Sequence, residues 1–205
     1  MAKEEKNEKA IANPASLGLA AFGLTTVVLS LFNAGILPIA GAAVVIPLAM
    51  AYGGTGQFLA GMWEFKKGNT FGATAFSSFG TFWWFYALLN WSIGAGLISL
   101  GEYASVALAA ALAAWGLFTF YMWIASFKIN HAVWAVFLTL WITFFLLSAG
   151  EFYPIIKLAG GYIGLLCGLI ALYTSAAIVI NETFDKTVVP VGKPLLQTII
   201  SLLIF

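Results

Sequence analysis

The sequence contains no arginine and little charge of either sign. Charged residues make up 8% of its 205 residues, against about 25% in an ordinary soluble domain, and 62% of the residues are hydrophobic. A globule of this size could not cover its surface with so few polar groups, which excludes a cytosolic enzyme and a disordered chain. The net charge of +1 provides no basic surface for nucleic acid. We therefore expect a membrane protein.

Cysteine and histidine occur once each. Cys167 cannot form an internal disulfide and is expected to be a small buried hydrophobe. His131 stands at a predicted helix start, with no cysteine or carboxylate at ligand spacing. No charged residue falls near the middle of a predicted span, where an ion pump usually keeps one. The sequence therefore predicts no catalytic residue, no metal site and no cofactor.

The charged residues are clustered and leave five long stretches without charge. The first stretch holds 54 residues, and Pro38 divides it, because the residue before a proline avoids the helical conformation. A spanning helix needs about 20 apolar residues, so the first stretch accommodates two helices and each of the others one. The sequence predicts an all-α integral membrane protein with a domain at 13–182 that holds six transmembrane helices, at about 14–37, 40–65, 70–92, 103–127, 131–149 and 155–180.

The distribution of lysine predicts the orientation. Eight of the nine lysines lie in the tails and in the loops on the same side as the tails, and only Lys157 lies on the opposite side. The positive-inside rule places the N-terminal tail (1–12) and the C-terminal tail (183–205) in the cytoplasm. The membrane is expected to be the cell membrane. The apolar end of the second tail, 195–205, is too short to cross and is expected at the interface or packed on the protein.

Local signals mark several helix ends. Asn13 precedes a proline, and Asn69 and Asn130 precede the third and fifth predicted helices, so all three are candidate N-caps. Pro47 lies inside the second predicted helix, where we expect a kink or local unwinding.

Two short segments suggest an internal repeat. Residues 19–26 and 112–119 are identical at six of eight positions, at an offset of 93 residues. A three-helix unit reverses direction in the membrane, so the halves would be inverted copies with a pathway near their interface. Coincidence in a chain rich in glycine, alanine and leucine is the alternative.

The polar residues inside the predicted spans are uncharged. Threonine in membrane helices commonly bonds to its own backbone or to a neighbouring helix, whereas Asn33 and Gln57 are costlier to bury and are stronger candidates for a solute path. Hydroxyl and amide groups suit a small polar or weakly acidic solute, which indicates a channel or carrier. The predicted path also includes Thr25, Thr70, Thr81 and, at a helix N-terminus, Asn69, while Trp63, Trp83, Trp84, Trp91 and Trp134 partly fit interfacial belts.

Residues 13–19, Asn-Pro-Ala-Ser-Leu-Gly-Leu, resemble the N-P-A-P-L-G-L signature of the acetate uptake transporter family, which includes the succinate–acetate permeases and their fungal relatives. Ser16 replaces the second proline. Further matching segments at 52–61, 64–72 and 161–164 extend the resemblance over about residues 13–190. The resemblance implies six transmembrane helices, cytoplasmic termini and a homohexamer in lipid in which each protomer has its own pore.

The resemblance also implies a function. Family members pass acetate and, in some cases, succinate or other short carboxylates, as a channel or with protons. The family's constriction of a phenylalanine, a tyrosine and a leucine matches Phe22, Phe79 and Leu140, so that Phe79 replaces the tyrosine and lacks its hydroxyl. Ala171 matches a position that influences substrate size. Two alternatives remain open at this point: a channel for ammonia, urea or another neutral solute, and a membrane scaffold or sensor that transports nothing.

Overall fold

A computed structural model of the protein describes residues 11–197, and within that range the chain is helical, without strands. The first ten residues and 198–205, which include most of the apolar C-terminal end, lie outside the described part. The α-helices are α1 (Ala15–Asn33), α2 (Val45–Leu48), α3 (Gln57–Lys67), α4 (Thr70–Gly94), α5 (Ala104–Ser126), α6 (His131–Gly150) and α7 (Pro154–Thr183).

All six predicted spans coincide with helical stretches, and every end agrees to within four residues. Five stretches are long and apolar enough to cross a membrane by length and composition. The sixth, α4, has 25 residues and no charge, but its serines, threonines, glycines and aromatic residues make it less apolar. The apolar five are Ala15–Asn33, Ile39–Lys67, Gly101–Ser126, His131–Gly150 and Pro154–Thr183.

The second stretch is irregular, as Pro47 predicts. It begins with a 3₁₀ turn at Ile39–Val44, continues as α2, and widens into a π-helix at Ala49–Gly56 before α3 begins. Proline lacks the N–H that a regular helix uses, which leaves a backbone carbonyl without its partner. Local 3₁₀ and π segments provide new partners for such groups in membrane helices. The expected local unwinding is confirmed.

Asparagine side chains cap the N-termini of α4 and α6, as the sequence predicts. Asn69 Oδ1 accepts a hydrogen bond from Gly72 N at 3.2 Å, and Asn130 Oδ1 accepts one from Val133 N at 2.8 Å. The first helix begins one residue later than expected, at Ala15, whose N–H donates to Asn13 Oδ1 at 3.3 Å. These contacts satisfy backbone donors that the helix leaves unpaired.

Asn13 also joins three helices at one end of the molecule. Lys67 Nζ, at the end of α3, donates to Asn13 Oδ1 at 3.3 Å, and Asn13 Nδ2 donates to Glu182 Oε1, near the end of α7, at 3.1 Å. Since α4 begins directly after α3, the starts of α1 and α4 lie at this same end. The two helices therefore run in the same direction.

The helices surround an interior in the order α4, α3, α1, α7, α6, α5, and α5 meets α4 over the smallest contact. The contact between α1 and α7 is tight because glycines allow close approach: a Cβ at Gly168 would lie 2.9 Å from Gly23 O. Cys167, next to it, is fully buried and its thiol donates to Val136 O at 3.4 Å, as expected of a small buried hydrophobe. Where α5 separates from α4, a cavity opens.

Candidate functional site

The cavity has a volume of about 400 Å³ and lies between α1, α4, α5 and α6. Phe22 and Asn33 of α1 both line it, as do Leu140 of α6 and Glu151 just after that helix. Each pair is 11 residues apart, which corresponds to about 16 Å along a helix. A cavity of this volume accommodates a small organic solute with some of its water.

A lysine and a glutamate stand at one end of the cavity, which we call the mouth. Lys157 Nζ pairs with Glu151 Oε1 at 3.1 Å, and the lysine side chain is the more exposed of the two. The turn between α6 and α7 fixes the lysine, because Gly150 approaches so closely that a Cβ there would lie 2.7 Å from Lys157 Cα. Lys157 is also the one lysine that the sequence places on the side away from the tails. The mouth therefore holds an ion pair in which the ammonium group is the more exposed partner.

The opposite end of the cavity, its floor, is apolar and closed. Phe22, Phe79 and Leu140 are 5%, 3% and 4% exposed. Phe22 and Leu140 line the cavity, whereas Phe79 lies beneath it, with its ring centroid 5.9 Å from that of Phe22. All three belong to one buried hydrophobic cluster. Of the three residues expected at the constriction, Phe22 and Phe79 thus pack together at the floor, and Leu140 belongs to the same cluster.

Aromatic rings surround Phe79. Its centroid lies 5.3 Å from that of Phe118, with the rings edge to face, a favoured geometry for aromatic pairs. A hydroxyl on this ring, which the family's tyrosine would supply, is absent, so Phe79 contributes only apolar surface. Three further rings lie within 6.4 Å: those of Trp115, Phe137 and Phe144.

Two polar side chains on the cavity wall are satisfied by their own helix. Asn90 Nδ2 donates to Tyr86 O at 2.8 Å, and Thr143 Oγ1 donates to Thr139 O at 2.8 Å. Two groups differ: Thr26 Oγ1 and Trp83 Nε1 are buried without a hydrogen-bond partner. Sequence reasoning missed both as site residues, and Trp83, expected among the interfacial tryptophans, is instead buried in the protein.

Of the polar residues predicted for the path, Asn33 lines the cavity and is half-buried. Thr25 and Gln57 do not line it. Thr25 is fully buried and its hydroxyl donates to Ala21 O at 2.8 Å, which is the backbone contact common for threonine in membrane helices. Gln57 is buried with its Oε1 unpartnered. Gln57 lies near the level of the floor, because the adjacent Phe58 packs on Gly80 of α4.

Asn69 and Thr70 lie at the start of α4, exposed, on the side of the tails. Asn69 Nδ2 donates to Glu64 Oε2 at 2.8 Å, and Glu64 is fully buried with its Oε1 unpartnered. Sequence reasoning missed Glu64 as a buried group. The spacing in the sequence could have indicated this burial. Glu64 lies seven residues after Gln57, so the two side chains are on the same helix face.

Thr81 and Ala171 do not reach the cavity. Thr81 is exposed on the outer face of α4, where it lines a shallow groove with Trp84, and its hydroxyl donates to Ser78 O at 2.8 Å. Ala171 is fully buried on α7, within the same hydrophobic cluster as the floor. Among residues 11–197, no three histidine, cysteine, aspartate or glutamate side chains lie close enough together to hold a metal ion.

Comparison with known proteins decides the family. The model of the GPR1/FUN34/yaaH family matches residues 2–193. The chain belongs to this family. Over 192 residues it is 39% identical to the succinate-acetate/proton symporter SatP of Escherichia coli (strain K12), covering 89% of this chain and 96% of the relative. It is 41% identical to ammonia transport outward protein 2 of Saccharomyces cerevisiae, over 81% of this chain and 61% of that protein.

A solved structure is also similar. The structure of the bacterial acetate channel SatP superposes with a TM-score of 0.84 at 38% identity, over 89% of this chain and all of that one. The helical architecture is therefore that of the acetate channel. With its apolar helices and relatives that are channels and transporters, the protein is a multi-pass membrane protein.

Proposed function

We propose that the protein is a membrane channel or proton-linked transporter for acetate, and for succinate or other short carboxylates. The observation that carries this proposal is the cavity, with Lys157 at its mouth and the apolar floor of Phe22, Phe79 and Leu140 at its other end. The names of the similar proteins, a succinate-acetate/proton symporter and an acetate channel, support the solute class. No catalytic role and no cofactor are part of the proposal.

The proposed arrangement has six spans, with α4 as the least apolar of them, and both termini in the cytoplasm of the cell. At 1.5 Å per residue, the 25 residues of α4 measure about 37 Å, which is enough to cross the hydrocarbon core. The cavity lies among α1, α4, α5 and α6 of the same chain. This supports a pore within each protomer, and we extend the proposal to the family's homohexamer.

Two aromatic residues support the proposed inverted repeat. Phe22 and Trp115 occupy equivalent positions in the matching segments 19–26 and 112–119. Both line the cavity, and both rings contact Phe79, with centroids 5.9 and 6.0 Å away. Equivalent residues of the two halves thus flank one ring at the floor, as expected if the path follows the interface between the repeats.

The proposed mechanism begins with charge. Acetic acid titrates near a glutamate side chain, at about 4.3, so acetate is an anion at neutral pH. Lys157 raises its local concentration at the mouth, and Asn33 offers an amide inside the cavity. At the floor the anion loses water, which is costly unless polar groups replace it. Passage occurs when Phe22, Phe79 and Leu140 move apart, with the solute crossing either as the anion or as the neutral acid.

On the far side of the floor, the proposed path leads to the side of the tails. Gln57, with its unpartnered Oε1, is the polar group at the level of the floor, and Asn69 and Thr70 lie at the exit. Ala171 influences solute size through its packing in the floor's cluster. Thr25 is assigned to helix stabilisation because its hydroxyl already has a partner, and Thr81 is left out because it faces outward.

The second candidate is a channel for ammonia, urea or another small neutral solute. The yeast relative named for outward ammonia transport favours it. An apolar floor admits neutral molecules more readily than ions, which suits this alternative as well. The two candidates differ in their requirement for a carboxylate.

The test is flux into liposomes that contain the purified protein. At pH 7.5 fewer than about one acetic acid molecule in a thousand is neutral, so leakage through lipid is low. We expect saturable uptake of labelled acetate above that of protein-free liposomes, with succinate competing and urea and methylammonium without effect. Uptake of urea or methylammonium alone would establish the second candidate, and no flux of any solute would indicate a scaffold or sensor.

A further inference from the structure

One carboxyl group lies inside the protein without a counter-ion. Glu64 is fully buried, whereas the other acidic residues that the structure describes are exposed or partly exposed. Its Oε2 accepts a hydrogen bond from Asn69 Nδ2 at 2.8 Å, and no ion pair joins it to any residue between 11 and 197. An ionised carboxylate is costly to bury without a cation, and such groups in membrane transporters mark proton relays.

The two lysines next to Glu64 do not compensate its charge. Lys66 and Lys67 are both exposed at the end of α3, and Lys67 Nζ donates to Asn13 Oδ1 at 3.3 Å. The elements that pack on α3 are α1, α4 and the π-helix, and none of them contains a charged residue. Their titratable side chains are two tyrosines about three helical turns or more from the carboxyl group, Tyr52 and Tyr86.

Glycines let α3 and α4 close around the carboxyl group. A Cβ at Gly72 would lie 2.9 Å from Glu64 Cδ, and a Cβ at Gly61, three residues before Glu64, would collide with Ser77 of α4. Helix packing therefore shields the carboxyl group, and the amide of Asn69 is its polar contact. Asn69 is exposed at the start of α4, so its side chain connects the buried carboxyl group to the tail side of the protein.

The same face of α3 leads from Glu64 towards the floor of the cavity. Gln57 is seven residues, or about 10 Å, before Glu64 and lies near the level of the floor. Ser77 packs on Gly61, which lies between these two residues on α3. Polar side chains therefore follow the contact between α3 and α4 from the level of the floor to Glu64, and Asn69 continues them to the proposed exit.

We propose that Glu64 takes up and releases the proton that accompanies the solute, an inference that rests on the proposed function and selects proton-linked transport within it. The proton forms an O–H bond at Oε1, the oxygen that has no hydrogen-bond partner, and makes the group neutral. Its release to water on the tail side restores the carboxylate. The ionised form needs the donor that Asn69 supplies, whereas the neutral form is compatible with apolar surroundings.

Asn69 links the proton to the solute, because its amide serves Glu64 and also lies at the proposed exit. A solute carboxylate that takes this donor favours the neutral form of Glu64, since an ionised group would lose its hydrogen bond. Departure of the solute returns the donor to Glu64 and favours loss of the proton. Proton and solute are therefore released on the same side of the membrane.

The first experiment compares exchange with accumulation in liposomes, for the wild type and Glu64→Gln. Glutamine nearly preserves shape and imitates the neutral carboxyl group, but it binds no proton. Labelled succinate is the probe, because a solute with two charges crosses lipid poorly. With an inward gradient of one pH unit and no membrane potential, the wild type should accumulate succinate up to about tenfold for each coupled proton. Glu64→Gln should not accumulate it, yet should still exchange labelled for unlabelled succinate at equal pH.

Glu182→Gln is the matched control. Glu182 lies at the same end of the protein, is exposed, and accepts from Asn13 Nδ2 at 3.1 Å. This variant should accumulate succinate as the wild type does, and Glu64→Asp, which keeps a carboxyl group, should retain part of the accumulation. Wild-type accumulation in Glu64→Gln, or an equal loss in Glu182→Gln, would overturn the assignment of the proton to Glu64.

A second measurement detects the proton without transport, and so applies even where Glu64→Gln fails to exchange. Infrared difference spectra on acidification should show the band of a neutral carboxyl group at the high frequency typical of groups shielded from water. Glu64→Gln should lack this band, Glu64→Asp should shift it, and Glu182→Gln should keep it. Absence of the band from the wild type would overturn the proposal.

The outcomes separate this inference from the proposed function. Carboxylate flux in the wild type that a proton gradient does not drive would overturn the proton site and still support a channel for carboxylates. The infrared band without flux of any carboxylate would establish Glu64 as a proton-binding group and contradict the transport proposal.

Discussion

The rings of Phe22 and Phe79 pack with centroids 5.9 Å apart and planes tilted by 52°, one ring from α1 and the other from α4. This pair, together with Leu140, closes the cavity with side chains that have almost no exposed surface. A solute that crosses here must separate these side chains and give up its water. The size and polarity of this contact should therefore decide which solutes pass.

Leu140→Ala should widen the constriction. Truncation removes three carbon atoms from the wall of the cavity, so longer acids such as propionate and butyrate should gain flux relative to acetate by about tenfold. The measurement is the ratio of initial uptake rates in liposomes. Leu117→Ala is the control, since Leu117 is an exposed leucine on α5. Equal ratios in Leu140→Ala and the wild type would contradict the assignment of the constriction.

The charges at the mouth should affect uptake in opposite directions. Lys157→Gln removes the cation and should lower acetate uptake by cells at low ionic strength by about threefold, whereas Glu151→Gln leaves the cation uncompensated and should raise it. Both effects should shrink as added salt screens the charges. Lys128→Gln, on the proposed cytoplasmic side, is the control and should change nothing. A loss in Lys157→Gln that persists at high salt would contradict electrostatic attraction.

Asn69→Ala should destabilise the protein more than Asn130→Ala. Both side chains cap a helix, and each cap contributes about 1 kcal/mol. Asn69 also donates to the buried carboxylate of Glu64, so its loss leaves that group without this donor and costs about 1–3 kcal/mol more. Thermal unfolding in detergent measures the difference. Equal losses would show that the contact with Glu64 contributes no stability.

Gly161→Ala should disrupt the contact between α1 and α7. Its Cβ would lie 2.6 Å from Ala34 Cα, a backbone atom that cannot rotate away, so we expect a loss of about 2–3 kcal/mol in the free energy of unfolding. Gly94→Ala is the control, because nothing lies within 4 Å of a Cβ there. The control should be neutral or slightly stabilising, since alanine favours a helix.

The sequence predicts the helices well because their limits depend on local causes. Charge-free stretches and capping asparagines specify where helices begin and end, and Asn69 and Asn130 act as their positions predict. Pro47 indicates an irregular segment. Its form is not predictable from proline alone, because the π-helix also involves Trp84, whose indole donates to Met50 O at 3.3 Å across from α4.

The candidate site is less predictable because it depends on which side chains meet. The resemblance to a family predicts a constriction of Phe22, Phe79 and Leu140, and this stays a prediction. The structure packs Phe22 on Phe79 and places Leu140 in the same buried hydrophobic cluster. Composition cannot separate Thr25, which is fully buried and bonds its own backbone, from Thr26, which contributes to the lining of the cavity. Nor does it show that Trp83, one residue from a partly exposed tryptophan, is buried.

Reaction of a cysteine in the cavity tests the central claim most directly. The natural Cys167 is fully buried, so Asn33→Cys adds a single accessible thiol inside the cavity, and Ser99→Cys adds one in the exposed loop after α4, at the same end of the helices. If acetate passes through this cavity, a charged thiol reagent should abolish most acetate flux in Asn33→Cys and leave Ser99→Cys unchanged. Full acetate flux after complete modification of Asn33→Cys would contradict the account.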